Sequence, residues 1–253
     1  MTIRLSTGAR NGCAGSSGLA GMFNCGYMKV FSGSQPANPD LSETGTNLGI
    51  ITQASGALTK ETRATATLTV TGGSGTLTSV TVGTLEICPD LASAPVVWTT
   101  SNEVTALLIA AAINRNGVAE ARVATNVITL RLRPGRGVTT LAVAAAGITC
   151  TGSSFAGGVL PVNGLILGSP VAGVIAKLPS QVWSFVGING PVTAGWFRLY
   201  GSDDPEGATG AILYPRIDGS IATSGGDLNL SNISIATGSA NTIDTFQFTM
   251  PAS

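Results

Sequence analysis

The sequence contains no histidine and very few charged residues. Its thirteen basic and thirteen acidic residues make up 10% of the chain, against roughly 25% in an ordinary soluble domain. Without histidine, Ser-His-Asp and Cys-His triads cannot be built, nor can the usual sites of metalloenzymes. The chain is therefore predicted not to be an enzyme and to need no cofactor.

The few charges are balanced and include only three lysines, Lys29, Lys60 and Lys177. A net charge of zero offers no basic surface to nucleic acid or to an anionic membrane. The edges of β-sheets are hardly protected by lysine in such a chain. One interpretation is a soluble protein whose surface is rich in Thr, Ser and Asn. The interpretation that we develop is a protein whose exterior packs against copies of itself or a larger assembly.

Long hydrophobic runs are also missing. The most apolar stretches, residues 104–113 and 141–148, are shorter than the roughly 20 residues that a helix needs to cross a bilayer. The N-terminal residues lack the continuous apolar segment of a signal peptide, so we expect synthesis in a reducing cytoplasm and no membrane partner. The four cysteines form no CxxC pair, and a disulfide between Cys88 and Cys150 is an open alternative.

Most of the chain has the residue pattern of β-strands. Thr alternates with Ala, Leu and Val over residues 64–82, on both sides of a glycine-rich stretch. This pattern predicts a β-hairpin in which Gly72, Gly73 and Gly75 adopt the positive φ angles of the turn. Residues 126–133 predict another strand, which a turn at 134–137 joins to a strand beginning at residue 138.

One amphipathic helix is predicted between these strands. Thr100 and Glu103 fit a capping box at its start, and Gly117 is expected to end it. Apolar residues recur at helical spacing on one face, which is predicted to pack on the sheet. That face consists of Val104, Leu107, Leu108, Ala111 and Ala112.

The predicted fold class is mainly β, in two parts. A β-sandwich or jelly-roll-like domain is formed by residues 1–59 and 156–253, and an inserted α+β domain with the single helix is formed by residues 60–155. Two of the three Trp and four of the seven Phe follow residue 180, so the aromatic core should lie there. The strands predicted for the first domain are 27–33, 46–52, 181–188, 194–202, 211–217, 228–235 and 244–250.

The densest acidic cluster is formed by Asp203, Asp204 and Glu206. Neighbouring carboxylates can perform acid–base chemistry or bind Ca²⁺. Pro205 and Gly207, however, indicate a tight surface turn in which the acids are solvated. No catalytic, cofactor-binding or metal-binding residue is predicted, and whether this turn binds a cation is left open.

Three arginines, Arg131, Arg133 and Arg136, crowd one predicted hairpin. No aromatic residues are interleaved with them, so they do not indicate a nucleic-acid surface. A solvated hairpin tip or a salt bridge to a partner subunit is the expectation.

Several segments resemble virion proteins of tailed bacteriophages. They are IRLSTGARN (3–11), KVFSGSQPANPDLSETGTNLGIIT (29–52), and the motifs GWFRLYGSDDPEG and PRIDGSIATSGGDLNLSNISIATG within 195–238. The middle segment, with TGGSGTLTSVTVGTLEI and an AAAIN helix, resembles small domains that are inserted into diverse phage structural proteins.

This resemblance implies a structural protein of the virion, made in the cytoplasm of the bacterial host. The chain is similar to capsid decoration (cement) proteins, and this similarity implies an oligomer whose partners are the major capsid protein and copies of itself. The alternatives are a component of the tail or collar, and a receptor- or carbohydrate-binding β module that uses exposed Trp and Tyr residues of the C-terminal region. The oligomeric state and the docking face are left open.

Overall fold

The computed structural model describes residues 3–14, 18–116, 119–133, 141–207 and 214–249. The chain divides into two compact units, a host unit of residues 1–61 and 161–253 and an inserted unit of residues 62–160. The division thus falls after Glu61 and Leu160, whereas the sequence placed it after residues 59 and 155.

The fold is mainly β, as the sequence predicted, and its sheets are largely antiparallel. The jelly-roll order of strands stays a prediction. The elements in chain order are β1 (Arg4–Leu5), α1 (Thr7–Ala14), α2 (Leu19–Met22), β2 (Tyr27–Ser32), β3 (Asn47–Gln53), β4 (Thr65–Val82), β5 (Leu85–Glu86), α3 (Asn102–Arg115), β6 (Ala119–Ala124), β7 (Val127–Leu132), β8 (Val143–Gly152), β9 (Val174–Ala176), β10 (Trp183–Val186), β11 (Val192–Tyr200), β12 (Arg216–Ala222), β13 (Leu228–Asn229), β14 (Ser234–Ile235), β15 (Ala240–Ile243) and β16 (Gln247–Thr249).

The host unit is built on a nine-stranded sheet. Seven strands follow the order β1-β12-β11-β2-β3-β10-β15, while β13 pairs with β12 and β14 pairs with β11. A separate two-stranded sheet joins β16 to β9. Because side chains alternate along a strand, one face of the large sheet is apolar and forms the core. Trp183, Phe185, Phe197, Phe246 and Phe248 all lie in that core, which confirms the predicted position of the aromatic residues.

In the inserted unit, the predicted glycine-rich hairpin is wrong. Residues 65–82 form one long strand, β4, which pairs with β7 over its first part and with β8 along most of its length. The register against β8 shifts on both sides of Gly75, so the glycines form irregularities within a strand.

The glycines in this stretch are explained by close contact between two backbones. Of the three glycines assigned to the turn, only Gly75 has a positive φ, at 108°. A Cβ atom on Gly75 would lie 2.1 Å from the carbonyl oxygen of Gly147, and one on Gly147 would lie 1.9 Å from that of Thr76. Alternating Thr residues on both sides of the glycines predict two strands equally well as one bulged strand, which is why the sequence misled.

The single helix of the inserted unit, α3, packs on β4, β6 and β7, but through the face opposite to the predicted one. Val104, Leu107 and Leu108 are 39%, 58% and 40% exposed, and Ala111 is exposed as well. Of the predicted stripe only Ala112 is buried. The buried face consists of Thr105, Ala106, Ile109, Ala110, Ala112 and Ile113.

Both faces of α3 carry apolar residues, so spacing alone could not decide between them. The buried face presents Ala106 and Ala110 to the sheet, and small residues let a helix lie close to a packed surface. The longer side chains of the other face remain at the surface. Gly117, the predicted end of the helix, lies outside the described residues.

The start of α3 is also one residue later than predicted. Ser101 is the N-cap, and its hydroxyl accepts a hydrogen bond from the Val104 amide at 3.2 Å. Thr100 precedes the cap, and Glu103 is the second residue of the helix, so the predicted capping box is not formed. The carboxylate of Glu103 still lies in the first turn, where the helix dipole favours negative charge.

We expect Ser101→Ala to lower the free energy of unfolding of the inserted unit by about 0.5–2 kcal/mol, because an amide of the first turn loses its acceptor. Thr100→Ala is the matched control and should have almost no effect. Thermal or urea unfolding followed by circular dichroism measures both changes. A larger loss for Thr100→Ala would contradict the assignment of the cap.

Candidate functional site

The most chemically varied part of the host unit is the second face of its large sheet. Three central strands place alternate residues there in register, in three rows. We call these nine residues the polar face, since seven of them carry a charged or hydroxyl group. Its rows are Phe31–Trp196–Ser220, Lys29–Arg198–Asp218 and Tyr27–Tyr200–Arg216.

The middle row contains a fully buried ion pair. Arg198 donates from Nε and Nη2 to the two carboxylate oxygens of Asp218 at 2.6 and 2.7 Å, and both side chains are 0% exposed. Its Nη1 donates to the carbonyl oxygen of Leu41 at 2.8 Å. Burial lowers the pKa of the Arg198 guanidinium, but the hydrogen bonds and charge of Asp218 outweigh this effect and raise it. Burial also raises the pKa of the Asp218 carboxyl, although Arg198 opposes this rise. Through its contact with Leu41, Arg198 ties the loop before β3 to the sheet.

A second buried pair joins Arg216 to Asp204. Nε and Nη2 of Arg216 donate to the Asp204 carboxylate at 2.7 and 2.8 Å, and Nη1 donates to the carbonyl oxygen of Gly207 at 2.7 Å. The Asp204 carboxylate also accepts from the Glu206 amide at 2.7 Å. The acidic turn is thus held over the polar face by a bidentate arginine.

Glu206 accepts hydrogen bonds from two lysines and a tyrosine. Its carboxylate accepts hydrogen bonds from Lys29 Nζ, from Lys60 Nζ at 2.6 Å and from Tyr27 Oη at 2.8 Å. Burial raises the pKa of Glu206, but the hydrogen bonds from Lys29, Lys60 and Tyr27 together lower it below its usual value. The ionised form is therefore more stable in the folded protein than in the unfolded chain.

The stability contributed by Glu206 should depend on pH. Because its pKa is lowered on folding, the contribution is complete above the ordinary value of 4.5 and is lost as the pH falls through the folded value. We expect the difference in free energy of unfolding between the wild type and Glu206→Gln to be largest near neutral pH and to shrink in acid. Urea unfolding at a series of pH values measures it, and a difference that does not change with pH would contradict the assignment.

These contacts correct the prediction that the acids of the turn are simply solvated. Asp204 is 0% exposed, while Asp203 and Glu206 are half-buried. The carboxylates of Asp204 and Glu206 already bind basic side chains of the same unit. Within the described part of the chain, no group of three or more Cys, Asp and Glu side chains is placed to hold a metal ion.

The aromatic rings of the polar face stack on each other below the surface. Tyr27 and Tyr200 are parallel at 4.8 Å between centroids, and Phe31 and Trp196 at 4.4 Å. The guanidinium of Arg198 lies over Trp196 at 5.4 Å. Trp183 is buried in the core on the other side of the sheet.

This burial affects the carbohydrate-binding alternative, which required exposed Trp and Tyr rings in the C-terminal region. Trp183, Trp196 and Tyr200 are 0% exposed, so these three rings cannot stack on a ligand. Tyr214, which follows them in the same region, is half-buried.

Two of the crowded arginines lie beside a glutamate of their own unit. Glu120 Oε1 lies 3.0 Å from Nη1 of Arg63, a buried residue, and 3.9 Å from Nη1 of Arg133. Arg131 is directly opposite Glu120 in the register of β7 and β6. Arg136 lies outside the described residues. The prediction of a solvated tip is therefore wrong for Arg133, whose side chain is 18% exposed, while the alternative of a salt bridge to a partner subunit stays a prediction.

All four cysteines are free, so the disulfide between Cys88 and Cys150 is not formed. Burial, with the nearby charges of Glu86 and Asp90, raises the pKa of the Cys88 thiol to about 12. Burial also raises the pKa values of Cys13, Cys25 and Cys150. A thiol with a raised pKa is a poor nucleophile, since the thiolate is the reactive form.

The sequence pattern missed the polar face, although it held a signal. In WFRLY (196–200) and RID (216–218), charged residues interrupt runs that otherwise have the composition of buried strands. A charge at such a position is rarely buried unless it is paired. The partners, however, are far apart in sequence, and only the register of β11, β12 and β2 brings them together.

Comparisons of the chain with protein-family models, curated proteins and solved structures give no match. Among the described residues, no helix has both the length and the apolar character that crossing a bilayer would require.

Proposed function

We propose that the protein is a structural component of a phage virion, a capsid decoration (cement) protein that docks on the major capsid protein and on copies of itself. The assignment to a virion is supported by the sequence resemblance described above. The observation that carries the structural role is an inverted surface: charges are used inside the protein, and apolar side chains are left outside.

The interior holds charges that a free protein of this size would place in solvent. The sequence has thirteen basic and thirteen acidic residues, and six of them are buried in the part of the chain that the structure describes. The surface is therefore even poorer in charge than the composition indicates. These buried residues are Glu61, Arg63, Arg198, Asp204, Arg216 and Asp218.

Apolar side chains occupy part of the surface instead. Fourteen Val, Leu and Ile side chains of the described residues are exposed. Scattered examples are normal in soluble proteins, but contiguous ones indicate an interface. In the inserted unit, Val104, Leu107 and Leu108 are adjacent on one side of α3, because residues three and four apart share a helix face.

The host unit has a second such region beside β10. Val182, Val186 and Ile188 are about half exposed, and Val186 and Ile188 line a shallow cavity with Ile50 and Leu58. No charged residue lines that cavity. Neutral, aliphatic surfaces of this kind suit permanent contacts in an assembly, where no mobile ligand has to be released.

A binding assay with separated virion parts tests this proposal. The purified protein is mixed with empty heads and, separately, with tails of the phage that encodes it, and bound copies are counted by quantitative mass spectrometry. Saturation of heads at a copy number close to that of the major capsid protein supports the cement role. Binding to tails at a few copies supports the tail alternative, and a monomer by light scattering that binds neither particle overturns the proposal.

A further inference from the structure

One groove of the host unit lies between two segments of the chain that are close in space but unpaired. Residues within 230–234 and 239–244 line a cavity of about 370 Å³, and residues within 226–229 and 245–249 line a neighbouring cavity of about 430 Å³. The segments 226–234 and 239–249 therefore run antiparallel on either side of both cavities. We call this region the edge groove.

Both walls of the edge groove contain short strands, and each of these strands has a single partner. In the described part of the chain, β15 pairs only with β10, β16 only with β9, and β13 only with β12. No described backbone hydrogen bond joins one wall to the other. A strand with one partner presents unpaired N–H and C=O groups on its other side, and such an edge is a template for another strand.

The inserted unit shows how an edge is blocked in this chain. The side chain of Asn114 on α3 donates to the carbonyl oxygen of Ala121 on the edge strand β6 at 3.0 Å, and it accepts from the Ala121 amide at 2.9 Å. Among the described residues, no side chain makes such bonds to the backbone of Ala240–Ile243. The edge at β15 is thus left open where the edge at β6 is covered.

The side chains of the groove suit a peptide backbone. The hydroxyl groups of Ser231 and Thr242 line it, and these can both donate and accept hydrogen bonds. The amide nitrogen of Asn241, which also lines it, already donates to Ser239. Leu230 and Phe246, both in the hydrophobic core, also line it. An extended chain in the groove would place alternate side chains over these two residues.

Charge restricts the sequence of the guest. The two cavities are lined by Asp227 and Asp244 and by no lysine or arginine. Asp227 accepts hydrogen bonds from the Ser220 amide and hydroxyl, both at 2.8 Å, while Asp244 is exposed at the wall. An acidic peptide would therefore be repelled, and a neutral or basic one would be accepted.

We infer that the edge groove binds an extended peptide segment of a partner protein by β-strand addition. The guest strand pairs with β15 and with the opposite wall, and its alternate apolar side chains contact Leu230 and Phe246. A sugar is a poorer fit, because no Trp or Tyr lines the two cavities. The inference does not rest on the virion proposal, since such a groove can receive a strand in any assembly.

Selection from a display library of random peptides of about ten residues, the upper range of a strand, tests the inference. Ser231→Trp fills the groove from an exposed position, and Ser34→Trp is the matched control at an exposed serine elsewhere in the host unit. Selected peptides should bind the wild type and Ser34→Trp equally, and bind Ser231→Trp at least about tenfold more weakly. Hydrogen exchange should show new amide protection in Ala240–Ile243 when a selected peptide is bound.

Three results would overturn the inference: no peptide enriched above background, equal binding by Ser231→Trp, or protection confined to another part of the chain. If Ser231→Trp melts at a lower temperature than the wild type, Thr242→Trp replaces it, because Thr242 is an exposed residue on the opposite wall. Neither variant alters an apolar face assigned to the proposed cement role, so failure here leaves that proposal to its own assay.

Discussion

Replacing Arg198 by methionine should lower the free energy of unfolding of the host unit by about 3–5 kcal/mol. The substitution leaves the carboxylate of Asp218 fully buried without its bidentate partner, and an uncompensated buried charge is far more costly than a lost contact. It also removes the hydrogen bond to the Leu41 carbonyl oxygen. Urea unfolding followed by tryptophan fluorescence measures the change, since Trp196 lies under the Arg198 guanidinium.

A double variant separates the cost of an orphaned charge from the value of the pair. In Arg198→Met with Asp218→Leu, both charges are gone, and apolar residues fill the space. We expect this variant to be markedly more stable than Arg198→Met alone. The attraction within a buried ion pair is often offset by the cost of removing both charges from water, so losing both charges costs less than losing one. Arg115→Met, which removes an exposed pair with Asp90, should leave stability nearly unchanged. A double variant as unstable as the single one would contradict this account.

Ile109→Ala should lower the free energy of unfolding of the inserted unit by about 2–5 kcal/mol. Ile109 is 0% exposed on the face of α3 that packs on the sheet. Truncation leaves a cavity that the close packing of β4 and β6 against the helix cannot easily fill. Circular dichroism during urea unfolding measures the loss.

The neighbouring Leu108 is the control that decides which face of α3 is buried. It is 40% exposed, so Leu108→Ala should cost less than about 1 kcal/mol. The same residue was expected to be in the core when only its helical spacing was considered. A larger cost for Leu108→Ala than for Ile109→Ala would show that the sequence had identified the correct face.

The features that could be predicted from the sequence are those with a local cause. Apolar runs between breaks rich in Gly and Pro predicted the strands at Tyr27–Ser32, Asn47–Gln53 and Val127–Leu132, and the aromatic residues after position 180 located the core. These patterns depend only on neighbours along the chain. The face of α3 was not predictable in this way, because it is apolar on both sides.

The polar face could not be predicted for a different reason. The acidic turn has the local pattern of a solvated loop, and only its contact with Arg216 makes Asp204 a buried residue. Likewise, the glycines near Gly75 are explained by the backbone around Gly147, which is remote in sequence. In each case the deciding interaction lies between segments whose proximity is a result of folding and not a property of either segment.

The two ends of the inserted unit are held side by side. The unit begins at Thr62, whose backbone exchanges hydrogen bonds with that of Val159 near the other end. In the host unit, Thr59 and Val162 exchange backbone hydrogen bonds in the same way. For the host unit, the inserted segment 62–160 is therefore a loop whose two ends are already held together by hydrogen bonds. The entropic cost of closing this loop changes little when its length changes. A chain built like this can gain, lose or exchange its middle module during evolution while the strands of the host stay in register.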